Sequence, residues 1–149
     1  MIAVRDQFEG VVLRRLLKHD DPPRVTEVGD KPGHFQLDDS TFLLIKYSSS
    51  DQPPWRFTFR LEDVATLIED RNRTDLFGGS YICLVCGLRT ICSLGADEWS
   101  TVLDLQNGKE QQQTITVRRR PGTQFTVTGT AGDLDHKVPA TKFPSPVLG

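Results

Sequence analysis

An α+β fold follows from three features of this chain. Apolar residues recur at helical spacing near the N-terminus, alternate strictly with polar ones in two later stretches, and run unbroken in another. Clusters of Gly, Pro, Asp and Ser separate these stretches. The resulting order is helix, strand hairpin, strand, helix, strand hairpin, helix, strand hairpin. It predicts a mixed α/β layer: a central, mostly antiparallel sheet flanked by two or three helices, with a C-terminal β-hairpin and a Pro-rich tail. The length of 149 residues fits one domain. We place that domain at residues 1–137 and read 138–149 as an extended or disordered arm.

Residues 4–19 place Val4, Phe8, Val11, Val12, Leu16 and Leu17 on one helical face, with Arg14, Arg15 and Lys18 opposite. His19 falls in the last turn, where a cation suits the helix dipole. The helix stops before Pro22-Pro23, because a residue preceding proline avoids helical geometry. Strands are expected at 24–28, 34–37 and 41–47, with turns at Asp30-Lys31-Pro32-Gly33 and Asp38-Asp39-Ser40. Residues 55–60, Trp-Arg-Phe-Thr-Phe-Arg, alternate without a fault, so Trp55, Phe57 and Phe59 share one face and Arg56, Thr58 and Arg60 the other.

A second helix is expected over 61–71, with Glu62 and Asp63 in its first turn and Leu61, Val64, Leu67 and Ile68 inward. Gly78-Gly79 breaks the chain. The continuous apolar run 81–86 reads as a strand buried on both faces and turns through Gly87 into 91–94. A short helix near Ala96-Asp97-Glu98 packs Trp99, Val102 and Leu103. Residues 114–120 and 124–128 alternate around Pro121-Gly122, which marks a hairpin. The tail holds Pro139, Pro144 and Pro146 and shows little periodicity.

Composition excludes several classes. No apolar stretch approaches the ~18 residues of a membrane span, and residues 1–6 lack a basic start followed by an apolar run. A cytoplasmic protein with no membrane partner is expected. Three cysteines within ten residues, Cys83, Cys86 and Cys92, fit a reducing compartment rather than a disulfide framework. Cys83 and Cys86 have half of a zinc-ribbon spacing, with Cys92 as a third candidate and His136 as a distant fourth, but buried core thiols are the favoured reading and no metal site is assigned. His34 and His136 each lie beside a turn, where surface placement is expected. The charge is uneven. Residues 113–149 hold five basic side chains against two acidic ones, whereas the first 112 hold thirteen against eighteen. A basic end on an acidic body hints at an anionic partner.

The order from the first helix to the cysteine strand, with Lys46 ending the strand 41–47, resembles the PD-(D/E)xK restriction-endonuclease-like core over roughly residues 1–95. The stretch Gly33-His34-Phe35-Gln36-Leu37-Asp38-Asp39-Ser40-Thr41-Phe42-Leu43-Leu44-Ile45-Lys46 is similar to that family's motif hairpin. The resemblance implies Lys46 as the motif lysine, Asp38 or Asp39 as the first-arm acid and Glu9 as a helix-borne acid. The motif glutamate position holds Leu44, which offers no oxygen to a hard cation. The core therefore reads as a degenerate nuclease. Magnesium enters only if cleavage survives through Glu9, Asp38 and Lys46; otherwise no cofactor is expected.

Arg118-Arg119-Arg120 lie at the hairpin tip with no local acid, a shape suited to phosphate. Thr114, Thr116, Gln124, Thr126 and Thr128 add donors along the same ribbon, and Arg56 and Arg60 extend the basic surface if their face points the same way. A two-stranded ribbon of this kind enters a groove or tracks a backbone. The leading expectation is an accessory or regulatory protein that binds DNA or RNA. The alternative is a protein-interaction module, a subunit of a defence or toxin–antitoxin type complex, that docks a partner through the C-terminal arm. A homodimer is also consistent with exposed hairpins.

Overall fold

The two most apolar strands pair in parallel at the centre of the molecule. In the computed structural model, which describes residues 1–74, 78–106 and 112–148, β3 (Thr41–Ser48) lies beside β5 (Gly79–Cys86) with Thr41 opposite Gly79 and Ser48 opposite Cys86. The antiparallel strands β1 (Val25–Glu27) and β2 (His34–Leu37) extend the sheet on one side and β6 (Thr90–Leu94) on the other, in the order β1-β2-β3-β5-β6. Both faces of β3 and β5 are covered, which explains their unbroken apolar runs.

One face of this sheet packs against α1 (Val4–Leu17). Phe8, Val12 and Leu16 meet Leu43, Ile45, Cys83, Val85 and Ile91 there, joined by Phe143 and Val147. The other face, through Leu44, Ile82, Leu84 and Leu94, packs against α2 (Leu61–Arg73), α3 (Ala96–Val102) and a second sheet. The α+β architecture with helices flanking a sheet is thus as the pattern indicates.

The expectation of one central sheet is corrected. β4 (Trp55–Phe59), β7 (Gln113–Arg118) and β8 (Thr126–Gly129) form a separate antiparallel sheet in the order β4-β7-β8. The reason lies in the burial pattern. β4 buries Trp55, Phe57 and Phe59 and exposes Arg56 and Thr58. Such a strand cannot occupy a sheet covered on both faces without burying an arginine. It therefore leaves with the crossover that joins β3 to its parallel partner β5.

The arm is also corrected. Val138 is fully buried and exchanges both backbone hydrogen bonds with Phe125, at 2.8 and 2.9 Å. The Tyr81 hydroxyl donates to the Pro146 carbonyl at 3.0 Å, and α4 (Ser145–Leu148) seats Val147 in the core. Three prolines remove periodicity but not apolar surface, so the segment is extended yet docked. A free docking arm is not what the chain presents. α1 ends at Leu17, two residues before His19, whose ring instead accepts a hydrogen bond from the Asp21 N–H.

The cysteines are core residues. Cys83 and Cys86 stand three apart on one strand and point to opposite faces of the sheet, so they cannot share a ligand. Burial pushes all three thiols up, Cys86 to about 12. His34 departs from its expected surface position. It is buried and its Nε2 lies 2.7 Å from Oδ2 of buried Asp70, an α2 residue that no local pattern links to it.

Candidate nucleic-acid interface

The outer face of the second sheet follows from its period of two. Trp55, Phe57 and Phe59, with Ile115, Val117 and Val127, point into the core. Their neighbours point away. Across the strands, Arg56 stands opposite Thr116, Thr58 opposite Thr114, Arg118 opposite Thr126, and Thr116 opposite Thr128. No acid occupies any of these positions. The Arg118 guanidinium donates to the Thr128 hydroxyl at 3.3 Å, and none of Arg56, Arg60, Arg118, Arg119 and Arg120 has an ion pair among the described residues.

The hairpin tip is ordered by its own contacts. Gly122 sits at φ +75°, a left-handed turn position that glycine occupies without strain. Arg119 donates its Nε–H to the Thr123 carbonyl at 2.7 Å and holds its guanidinium 5.5 Å from the centre of the Phe125 ring. Arg118 and Arg120 are exposed beside it. A cleft of about 570 Å³ lies here, lined by Pro53, Pro54, residues 118–120, Thr123, Gln124, Thr126 and Lys137. Its lining has four cations and no acid.

A second cleft, of about 630 Å³, opens where β2 stops short of the end of β3. The last ladder bond on that side runs from the Ile45 N–H to the Gly33 carbonyl, at 2.8 Å. Gly33 has φ +77°, and a Cβ there would lie 2.6 Å from the Ile45 carbonyl oxygen. Glycine thus lets the turn press against β3 and leaves the strand end uncovered. Lys46 sits at that end. Its ammonium donates to Oδ2 of Asp63 at 2.7 Å and lies 5.3 Å from the Phe59 ring centre. Lys31 pairs with the other oxygen of Asp63, and the Arg60 N–H donates to Oδ2 at 2.8 Å. Burial pushes the Asp63 carboxyl up, but these three donors outweigh it and hold the group below its ordinary range.

Four residues singled out in the sequence meet in this cleft: Glu9, Lys46, Arg56 and Arg60. Arg118, Arg119 and Arg120 line the other one. Glu9 is mostly buried beside Arg5, 3.8 Å away; burial raises its carboxyl despite that cation. Asp38 joins neither group. It turns the chain between β2 and β3 at φ 53°, accepts the Arg24 N–H at 2.9 Å, and lies roughly 20 Å from Lys46 along β3. Asp39 beside it pairs with Arg24 at 2.8 Å. The set Glu9, Asp38 and Lys46 required for displaced metal-dependent cleavage is therefore not assembled.

Asp63, Lys31 and Lys137 are the site residues the sequence reading passed over. Asp63 carried a usable signal: a carboxylate three residues after Arg60, placed to receive the Arg60 N–H at the helix start. Lys31 and Lys137 carried none, because each reaches its cleft through tertiary packing. Comparisons of the chain with protein-family models, curated proteins and solved structures return no match.

Proposed function

We propose that the protein binds the phosphate backbone of nucleic acid through the basic hairpin and the outer face of the second sheet, as an accessory or regulatory module. One observation carries this reading. A single sheet face presents Arg56 and Arg118 among five threonines, without an acid, and runs into a cleft walled by Arg118, Arg119, Arg120 and Lys137. Arginine forks and hydroxyls are the donors that phosphate contacts use. A face meant only for solvent mixes both signs of charge. In the Lys46 cleft Asp63 is neutralised by Lys31 and Lys46 rather than left open for a cation, which favours binding over cleavage.

Replacing Arg118, Arg119 and Arg120 together by Ala tests this. Binding of a labelled nucleic acid, followed by fluorescence anisotropy at several salt concentrations, should weaken, and the slope of log K against log salt should flatten by about three units. The double variant Arg118→Ala/Arg120→Ala keeps Arg119 on Phe125 and should lose about two units. Unchanged affinity and slope in both variants would remove the hairpin from the interface.

A further inference from the structure

We infer that the ligand of this surface is a duplex, held by its phosphates along a track from the cleft at Arg118 to the cleft at Lys46. This rests on the phosphate-binding reading above and narrows it to one class of nucleic acid. The first support is continuity. Arg56 and Thr58 line the Lys46 cleft, and Arg118 and Thr126 line the hairpin cleft. All four stand on the same sheet face, with Thr116 between Arg56 and Thr128. The clefts are therefore two ends of one surface. From Pro54 to Arg60 the strand covers about 20 Å, the length of roughly six base pairs.

The second support is what the track lacks. Proteins that hold single strands stack the bases on exposed aromatic rings, each worth about 1–3 kcal/mol. Here Trp55, Phe57, Phe59 and Phe125 are at most 3% exposed and face the core. Tyr47, at the rim of the Lys46 cleft, has its ring stacked on Phe8 at 4.7 Å. No free ring on the described track is available to replace base stacking. A duplex keeps its bases stacked on one another and offers phosphates alone, which is what arginines and threonines on a sheet can hold. Recognition is then by backbone, without reading of base sequence.

The test uses the full chain and four probes of about 20 nucleotides: mixed-sequence duplex DNA, the same duplex with its sequence scrambled, duplex RNA of the same sequence, and the unpaired strand. At least one duplex should bind about tenfold more tightly than the strand, and a scrambled duplex equally well. Arg56, Arg60, Arg118, Arg119, Arg120 and Lys137 have no ion pair among the described residues, so the duplex salt slope should be about −5. Arg56→Ala, at the middle of the track, should weaken duplex binding about fivefold and remove about one unit of slope, with the melting temperature unchanged; Arg56→Lys should recover most of it. Equal or tighter binding of the unpaired strand overturns the duplex assignment and leaves phosphate binding standing. So does sensitivity to Arg118→Ala with none to Arg56→Ala, which confines contact to the hairpin. No binding of any probe at low salt overturns both readings.

Discussion

In the five-stranded sheet, β3 and β5 bury side chains on both faces; in the three-stranded sheet, β4 and β7 bury every second one. The first arrangement leaves nothing to display. Its cysteines, leucines and isoleucines serve packing, and its only polar outlets are strand ends such as Lys46. The second arrangement spends one face on the core and keeps the other free. Arg56 and Phe57 are chain neighbours, yet one belongs to the surface and the other to the interior. Exposed polar and basic residues such as Arg56, Thr58 and Arg118 therefore collect on the three-stranded sheet, while the central strands of the five-stranded one are spent on packing.

That contrast is tested most strongly at adjacent positions. Phe57→Ala empties a site 2% exposed in the cluster between the sheets and should cost about 3–5 kcal/mol in denaturant unfolding. Arg56→Ala, one residue away, should change stability by less than about 0.5 kcal/mol. A comparable loss at both positions would mean that the outer face is also structural.

Asp63 is where the two regions meet. Its carboxylate joins Lys46 of the first sheet to Lys31 and to the start of α2, which follows directly from β4. Asp63→Ala strands two half-buried ammonium groups and removes the helix-capping acceptor, for a loss of about 3 kcal/mol. The pH dependence has a definite sign. A carboxyl held below its ordinary value of 3.8 contributes stability above that value, and the contribution is lost as pH falls through the depressed folded value. The acid limb of a stability–pH curve should shrink in the variant. An acid limb of the same size would place the carboxyl's partners elsewhere.

Periodicity made most of the elements legible, because each strand's pattern reports how many of its faces are covered. The continuous run 81–86 and the alternation at 55–60 both lie where their patterns put them. Pairing was not legible. That Arg56 faces Thr116, and so shares a surface with Arg118, depends on a register set by packing between strands nearly sixty residues apart. The same limit applies to His34 and Asp70, and to Lys46 and Asp63, which meet only after α2 has docked. Asp38 shows the converse: a motif-like spacing on a hairpin does not say that its acid and its lysine line the same cleft, and here they line different ones. The arm was misjudged because proline hides burial from a periodicity argument, although Phe143 and Val147 supplied apolar surface.

The weakest expected effect concerns that arm, which links the sheets. Val138 pairs with Phe125 of the ribbon, Lys137 lines the hairpin cleft, and Phe143 reaches the far side of the larger sheet. A polar latch at Glu98 holds it. Lys142 and His136 both pair with Glu98, at 2.5 and 2.8 Å, and His136 also meets Asp135 at 2.8 Å. Hydrogen bonds to Glu98 and Asp135 raise the imidazole above its ordinary 6.5, so its contribution is complete below that pH and is lost as pH rises through the folded value. Burial pushes Glu98 up, but Lys142 and His136 outweigh it; its contribution is complete above 4.5 and is lost as pH falls through the lowered value. The latch is thus fully formed between 4.5 and 6.5. The Val138 amide, which donates to the Phe125 carbonyl at 2.9 Å, should show its highest hydrogen-exchange protection in that window, after correction for intrinsic rates. His136→Gln should abolish the decline above it. Protection that stays flat through pH 8 in the unaltered chain would show that Val138, Phe143 and Val147 hold the arm by apolar packing alone, and that the ribbon and the larger sheet are joined by their cores rather than by charge.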